Sequence, residues 1–64
     1  MKINRLEIEK ILAERQMTKT TLADSCGIAR QNLSTILNRG TCEPKTVGIL
    51  AKGLGVPIAT ISGE

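Results

Sequence analysis

Residues 17–40 have the sequence MTKTTLADSCGIARQNLSTILNRG. It contains two short segments with helical periodicity, separated by a turn at Gly27. We predict that the first of these helices begins after Met17 with Thr18 as its N-cap, because a threonine oxygen accepts a hydrogen bond from a first-turn amide. Gly27 ends this helix, since glycine adopts the positive φ of a sharp helix stop without strain.

The second helix of the pair, predicted over about residues 29–38, has an apolar face and a polar face. The apolar side chains follow the helical spacings i, i+4, i+7 and i+8 and must face a core; they are Ala29, Leu33, Ile36 and Leu37. The other face carries polar side chains with no carboxylate among them: Arg30, Gln31, Ser34 and Thr35. Two short helices joined by a three- to four-residue turn that contains glycine describe a helix-turn-helix unit.

The chain's first helix is predicted to extend from Asn4 to about Gln16. Asn4 and Glu7 have the spacing of a capping box, in which the carboxylate accepts a hydrogen bond from the N-cap amide. The inward stripe of this helix consists of Ile8, Ile11 and Leu12. On a helical wheel Ile3 and Leu6 project from nearly the opposite side, so we expect these two residues to be candidates for a partner surface.

Two more helices are predicted after the helix-turn-helix unit. The first begins near Pro44 and stops at Gly55, and a short last helix covers about residues 57–61 and offers Ile58 and Ile61. Gly48 and Gly53 each lower the propensity of the longer helix by about 1 kcal/mol relative to Ala, so packing must hold it. The remaining core stripes are Leu22, Ala23 and Cys26, followed by Val47, Leu50, Ala51 and Leu54.

No segment shows the alternation of a half-buried strand. We therefore expect an all-α fold, a compact bundle of five short helices that contains a helix-turn-helix and forms a single domain over residues 1–64. A domain of 60 residues buries only about 60% of the surface of its unfolded chain, which leaves little room for a deep substrate pocket. An enzyme is not expected.

The composition argues against catalysis and metal binding. The chain has no His and only two Cys, whereas common catalytic triads and zinc sites need His or four thiolates in one place. We expect no catalytic residue, metal, cofactor or small-molecule ligand. Cys26 is expected to be a small buried hydrophobe and Cys42 a free thiol in a loop. With no signal peptide or apolar run of membrane length in the sequence, we expect a cytoplasmic protein with no membrane partner.

The charge balance favours a polyanionic partner. Nine Lys and Arg residues against six Asp and Glu residues give a net charge of +3. Between positions 15 and 45 the acidic residues are Asp24 and Glu43, while the basic ones are Arg15, Lys19, Arg30, Arg39 and Lys45. The middle of the chain is therefore where a phosphate backbone would bind.

Residues 17–40, together with the Leu50-Ala51-Lys52-Gly53-Leu54-Gly55-Val56 stretch, resemble the Cro and phage-repressor type helix-turn-helix domain, also called the XRE or lambda-repressor-like type. The resemblance covers nearly the whole chain. It implies a compact bundle of five helices that binds double-stranded operator DNA, usually as a two-fold homodimer, with the third helix as the recognition helix. The resemblance also implies a sequence-specific transcriptional regulator, and we expect a repressor of phage, prophage or mobile-element type.

The resemblance also implies which residues contact DNA. The family's base-contacting positions fall on Arg30, Gln31 and Thr35, with Ser34 on the same face. Arg can bond guanine O6 and N7 together, Gln can bond adenine N6 and N7, and Thr offers a hydroxyl and a methyl group to thymine. The family's phosphate contacts match Thr18 and Lys19 at the start of the second helix, and Asn38, Arg39, Thr41, Lys45 and Thr46 after the third.

Three positions depart from the family pattern. Lys19 stands where many members have Gln, which keeps a phosphate contact but removes a hydrogen-bonding brace to the recognition helix. Leu12 and Leu37 stand where many members have a buried Arg–Glu pair, and such an apolar exchange is often neutral or stabilising. The segment 38–40 is one residue longer than in the best-known members, so the loop contacts are carried over less directly than the helix contacts.

Two other interpretations remain open at the level of sequence. The polar face of the third helix is also what a solvated helix face looks like, and each Lys or Arg can be an ordinary surface charge. The second functional class is a protein-interaction module, such as an antitoxin or adaptor, that keeps the helical fold and uses an apolar surface against another protein.

Overall fold

The computed structural model describes residues 1–63; Glu64, the last residue of the predicted domain, lies outside the described residues. In those residues the chain forms five helices and no β-strand beyond isolated bridges. The helices are α1 (Arg5–Glu14), α2 (Lys19–Cys26), α3 (Arg30–Arg39), α4 (Pro44–Leu54) and α5 (Ile58–Ile61). The predicted all-α bundle of five short helices is confirmed.

The N-cap of α1 is formed in part as predicted. The Asn4 side chain accepts a hydrogen bond from the Glu7 backbone N–H at 3.1 Å. The other predicted bond of the capping box, from the Asn4 N–H to the Glu7 carboxylate, is wrong, because the Asn4 N–H donates to the Ile61 carbonyl at 2.7 Å. The Glu7 carboxylate instead lies 3.9 Å from the Lys10 ammonium. A contact from the far end of the chain has thus replaced the local one.

The end of α1 differs from the prediction by one half turn. The helix ends at Glu14, not at about Gln16, because Gln16 takes a left-handed conformation with a φ of 54°. Two backbone bonds close this end, from the Gln16 N–H to the Ala13 carbonyl at 3.2 Å and from the Met17 N–H to the Leu12 carbonyl at 2.9 Å. Helix ends of this kind usually carry Gly or Asn, so the residue type at position 16 did not indicate a helix end.

The turn between α2 and α3 is built as predicted. Thr18 caps α2 by accepting the Thr21 N–H at 3.1 Å, and Gly27 has a φ of 71°. The Ile28 N–H reaches back to the Ala23 carbonyl at 3.0 Å, which satisfies one of the last carbonyls of the helix. The next helix begins at Arg30, with Ala29 as its extended N-cap residue. Ala29 is exposed, so its predicted place in the core is wrong.

The core consists of apolar side chains from all five helices. Among the described residues, no polar or charged residue is buried. The buried residues are Ile3, Ile8, Ile11, Leu12, Leu22, Ala23, Leu33, Leu37, Val47, Leu50, Ala51, Leu54 and Ile61. Cys26 and Ile36, both predicted to face inward, are half-buried and pack against this cluster. Leu12 and Leu37 are 5% and 2% exposed, as expected for an apolar replacement of a buried ion pair.

Ile3 is a core residue, and its predicted place on a partner surface is wrong. The helical wheel does not apply to Ile3, because the residue precedes the N-cap of α1. Its side chain is 7% exposed and belongs to the core cluster. Leu6, by contrast, is 67% exposed, as the wheel predicted. In α5 Ile61 is buried, while Ile58 is 42% exposed.

Helices α2 and α4 approach each other closely at Gly53. A Cβ atom at this position would lie 2.5 Å from the Cys26 Sγ and 3.4 Å from the Leu22 Cδ1. The first distance is about 1 Å shorter than the optimum of about 3.5–4.0 Å for packed heavy atoms, whereas the second is an ordinary contact. Gly53 therefore weakens the intrinsic helix propensity of α4 in exchange for close packing against α2.

Residues 1–4 form a short extended segment, here called the N-terminal strap. Antiparallel bridges pair Lys2 with Thr41 and Ile3 with Ser62. The strap thus lies between the connection from α3 to α4 and the chain that follows α5. No local pattern predicted it, since its partners are distant in the sequence.

Candidate nucleic-acid interface

The polar face of α3 is set by burial of its opposite side. Leu33 and Leu37 are 0% and 2% exposed, which fixes the rotation of the helix. Arg30, Gln31 and Thr35 are exposed, whereas Ser34 is half-buried. Side chains three and four residues apart are neighbours on a helix, so the four predicted base-contacting residues lie on one continuous face, with Ser34 nearest the core.

The hydroxyl group of Thr35 already has a partner. It donates a hydrogen bond to the Gln31 backbone carbonyl at 2.9 Å. A hydroxyl has one proton to donate and two lone pairs that can accept. In this arrangement Thr35 presents to a ligand a methyl group and an acceptor, but no donor.

The predicted phosphate-contacting residues after the recognition helix lie close together. Arg39, Thr41 and Thr46 line one surface depression between the end of α3 and the start of α4. Thr46 is half-buried there, while Asn38, Arg39, Thr41 and Lys45 are exposed. The depression also contains Glu43, so the structure brings hydroxyl groups, a guanidinium and one carboxylate together at the two helix ends.

At the start of α2 the predicted contacts have competing partners. The Thr18 Oγ1 accepts the Thr21 N–H and lies 3.0 Å from the Thr21 Oγ1, so this hydroxyl serves the helix cap. The Lys19 ammonium lies 3.9 Å from the Glu9 Oε1, and the same oxygen lies 3.8 Å from the Arg5 Nε. Exposed ion pairs of this kind contribute at most about 1 kcal/mol, so a phosphate can replace Glu9 at little cost. Sequence reasoning missed Glu9 because this contact joins separate helices.

The distribution of ion pairs leaves positive charge around α3. Glu7 and Glu9 of α1 lie near the cations Arg5, Lys10 and Lys19. Within residues 1–63, no ion pair joins a carboxylate to Arg30, Arg39 or Lys45. These three side chains stand at the two ends of α3 and at the start of α4. A carboxylate-free face flanked by cations that form no ion pair attracts a polyanion, and Glu43, which lines the same depression as Arg39, offsets part of this positive charge.

Both cysteines are free thiols and lie outside the polar face of α3. Cys26 is half-buried, and its thiol donates to the Ile49 carbonyl at 3.6 Å. Cys42 is a free thiol in the connection between α3 and α4, as predicted, and it is also half-buried and packs against the core. Burial raises the pKa of both thiols; the N-terminal ammonium opposes this at Cys42, whereas Glu43 adds to it. A raised pKa keeps these groups neutral and poorly nucleophilic.

Comparison with known families agrees with this geometry. The family of Cro/C1-type HTH DNA-binding domains matches residues 7–63, which includes all five helices from the first turn of α1 onward. No curated protein and no solved structure gives a significant match. None of the helices in residues 1–63 combines the length and the apolar character needed to span a membrane. From its helix-turn-helix geometry and this match, the chain belongs to the Cro/C1-type helix-turn-helix family of DNA-binding domains.

Proposed function

We propose that this protein is a sequence-specific transcriptional regulator that reads the major groove of double-stranded DNA with α3, as a repressor of phage, prophage or mobile-element type. The observation that carries the proposal is the exposed, carboxylate-free face of α3. Arg30, Arg39 and Lys45 flank this face without an acidic partner in the described chain. Phosphate contacts supply affinity and register, while base contacts supply the sequence preference.

The chemistry of the α3 face suggests a division of base contacts. Arg30 bonds a guanine through O6 and N7, and Gln31 bonds an adenine through N6 and N7. Thr35 contacts a thymine through its methyl group, because its hydroxyl proton is donated to Gln31. Ser34, half-buried at the edge of the face, reaches only a base that approaches closely. Each bidentate pair discriminates against the wrong base by about 1–3 kcal/mol.

Phosphate contacts are proposed on both sides of α3. At the start of α2, backbone N–H groups and Lys19 bind one phosphate, with Thr18 holding the helix end in place through its cap. At the other end, contacts come from Asn38, Arg39, Thr41, Lys45 and Thr46. Because the N-terminus of a helix carries a partial positive charge, the start of α2 suits an anion.

We further propose that the protein acts in the cytoplasm, without catalytic activity, and binds its operator as a homodimer. The exposed apolar side chains Leu6 and Ile58 support an association surface. Ile3, which is buried in the monomer, is not part of it. A homodimer would recognise a site with two-fold symmetry, in which the two half-sites lie about one helical turn or a multiple of it apart.

Leu6 and Ile58 also favour a second candidate function, in which the domain binds another protein as an antitoxin or adaptor. Selection of bound sequences from a random duplex library distinguishes the two. A regulator enriches a symmetric motif, and its log K falls with log salt at a slope of about −0.9 per phosphate contact. Absence of duplex binding at low salt would reject the regulator and favour the interaction module.

A further inference from the structure

The N-terminal strap holds the connection between α3 and α4 from outside. The Ile3 N–H donates to the Gly40 carbonyl at 3.0 Å, and the Cys42 N–H donates to the Met1 carbonyl at 3.0 Å. The Met1 amino group also donates to the Cys42 carbonyl at 2.9 Å. The backbone of this connection is thus bonded to the strap on both sides of Thr41, one of the residues proposed to contact phosphate.

The strap is itself fixed at its other edge and by one buried side chain. The Asn4 N–H donates to the Ile61 carbonyl at 2.7 Å, and the Gly63 N–H donates to the Lys2 carbonyl at 3.0 Å. Ile3, between these bonds, is 7% exposed and packs in the core. Glu43, the N-cap residue of α4, makes no side-chain cap bond. The strap therefore holds the chain just before α4 in place where no side-chain cap does so.

We infer that the strap positions the phosphate-binding connection, with Ile3 as its anchor. This inference rests on the proposed function. When Ile3 is anchored, the backbone around Thr41 is held beside the end of α3, where Thr41 and Arg39 line the same surface depression. When the anchor is lost, the connection moves relative to α3 and its phosphate contacts weaken. The base contacts persist, because Leu33 and Leu37 are buried in a core to which all the helices contribute, and this burial keeps α3 in place.

The test compares two identical side-chain truncations in the full chain. Ile3→Ala removes the anchor. Ile11→Ala removes the same atoms from a residue that is also 7% exposed, on a helix that supplies none of the proposed contacts. Binding to the selected duplex and to a duplex with one base pair changed is measured over a series of salt concentrations, using only the folded fraction of each variant.

For Ile3→Ala we expect the salt slope to fall by about 0.9, which corresponds to one lost cationic phosphate contact, that of Arg39. Loss of the neutral Thr41 contact lowers the affinity without changing the slope. The ratio of the two duplex affinities stays that of the unaltered protein. Ile11→Ala keeps both the slope and the ratio. If Ile3→Ala keeps the slope, or changes the duplex ratio as strongly as the affinity, the strap has no positioning role.

A milder variant and a DNA-free measurement cover the case in which Ile3→Ala fails to fold. Ile3→Val is expected to reduce the slope in the same direction by a smaller amount. In the absence of DNA, the amide hydrogen of Cys42 is expected to exchange faster in Ile3→Val, while that of Leu37 is unchanged. Equal protection of Cys42 in both proteins would contradict the inference, whereas a lack of duplex binding by the unaltered protein would reject the proposed function itself.

Discussion

Replacement of Gly53 by Ala tests the close packing of α2 against α4. The new Cβ would lie 2.5 Å from the Cys26 Sγ, about 1 Å inside the optimum for packed heavy atoms. Cys26 can relieve the contact only by rotation about χ1, which gives up the hydrogen bond from its thiol to the Ile49 carbonyl. The Cys26 Sγ is therefore the atom with which the new Cβ clashes.

Two opposing effects determine the size of the change in stability. Overpacking of this kind costs about 1–3 kcal/mol, whereas Ala in place of Gly within a helix gains about 1 kcal/mol. We expect Gly53→Ala alone to lower the free energy of unfolding by up to about 2 kcal/mol. In a Cys26→Ala background the clash is absent, and the same change is expected to raise the free energy of unfolding by up to about 1 kcal/mol.

Urea denaturation of the four proteins in this double-mutant cycle measures the coupling directly. We expect the two substitutions to interact by about 1–3 kcal/mol. In thermal denaturation, 1 kcal/mol corresponds to about 4–8 °C for a domain of this size. Additive effects of the two substitutions, or a gain in stability from Gly53→Ala in the presence of Cys26, would refute the proposed packing.

The other predictions concern separate sites. Arg30→Ala should lower the affinity for the selected duplex and relax the preference at one base pair. Lys45→Ala should weaken binding to all sequences and reduce the salt slope by about 1. Identical changes in sequence preference and salt slope in the two variants would disprove the division between base and phosphate contacts. Thr35→Val should keep the preference for thymine and Thr35→Ser should lose it, to the same extent as deoxyuridine in place of thymidine in the operator; a weakened Thr35→Val variant would show that the hydroxyl is the group that reads the base. Gln16→Gly should raise the melting temperature, because a left-handed L-residue costs about 1–2 kcal/mol. The added conformational freedom of Gly in the unfolded chain offsets only part of the stability gained by removing this cost. A lower melting temperature would argue against a strained helix end at Gln16. Burial raises the pKa of Cys26 above its usual 9.0, so the thiol of the unfolded chain ionises at a lower pH than that of the folded chain. The free energy of unfolding should therefore fall as the pH rises through 9.0 toward the folded-state pKa. This fall should be smaller in Cys26→Ala, and an unchanged pH profile in that variant would contradict the prediction.

Features of the fold that depend on neighbouring residues could be predicted from the sequence. Thr18 and Gly27 delimit α2 through hydrogen bonds that span at most five residues, so their residue types are enough to predict where the helix begins and ends. The helical spacing of apolar residues in α3 predicted its apolar and polar faces, and Leu33 and Leu37 are buried as expected. Ala29 was misplaced because a helical wheel does not describe a residue in the extended N-cap position.

Features that depend on distant residues could not be predicted. The amide of Asn4 bonds to Ile61 rather than to Glu7, and nothing near Asn4 in the sequence indicates this. Ile3 is buried for the same reason, since the strap that carries it pairs only with remote segments. Within the candidate site, the pairing of Lys19 with Glu9 depends on how α1 and α2 pack, which their separate patterns do not specify.

The pairing of the strap has a consequence for the order of folding. Met1 and Cys42 are 41 residues apart along the chain, whereas bonds within a helix link residues four positions apart. Closing so large a loop costs more entropy than forming a helical turn, so we expect this pairing to form after the helices have assembled and to be among the first to open on warming. Under the proposed function, the phosphate contacts beside Thr41 would then weaken while α3 is still intact, and tight binding would require the completed fold.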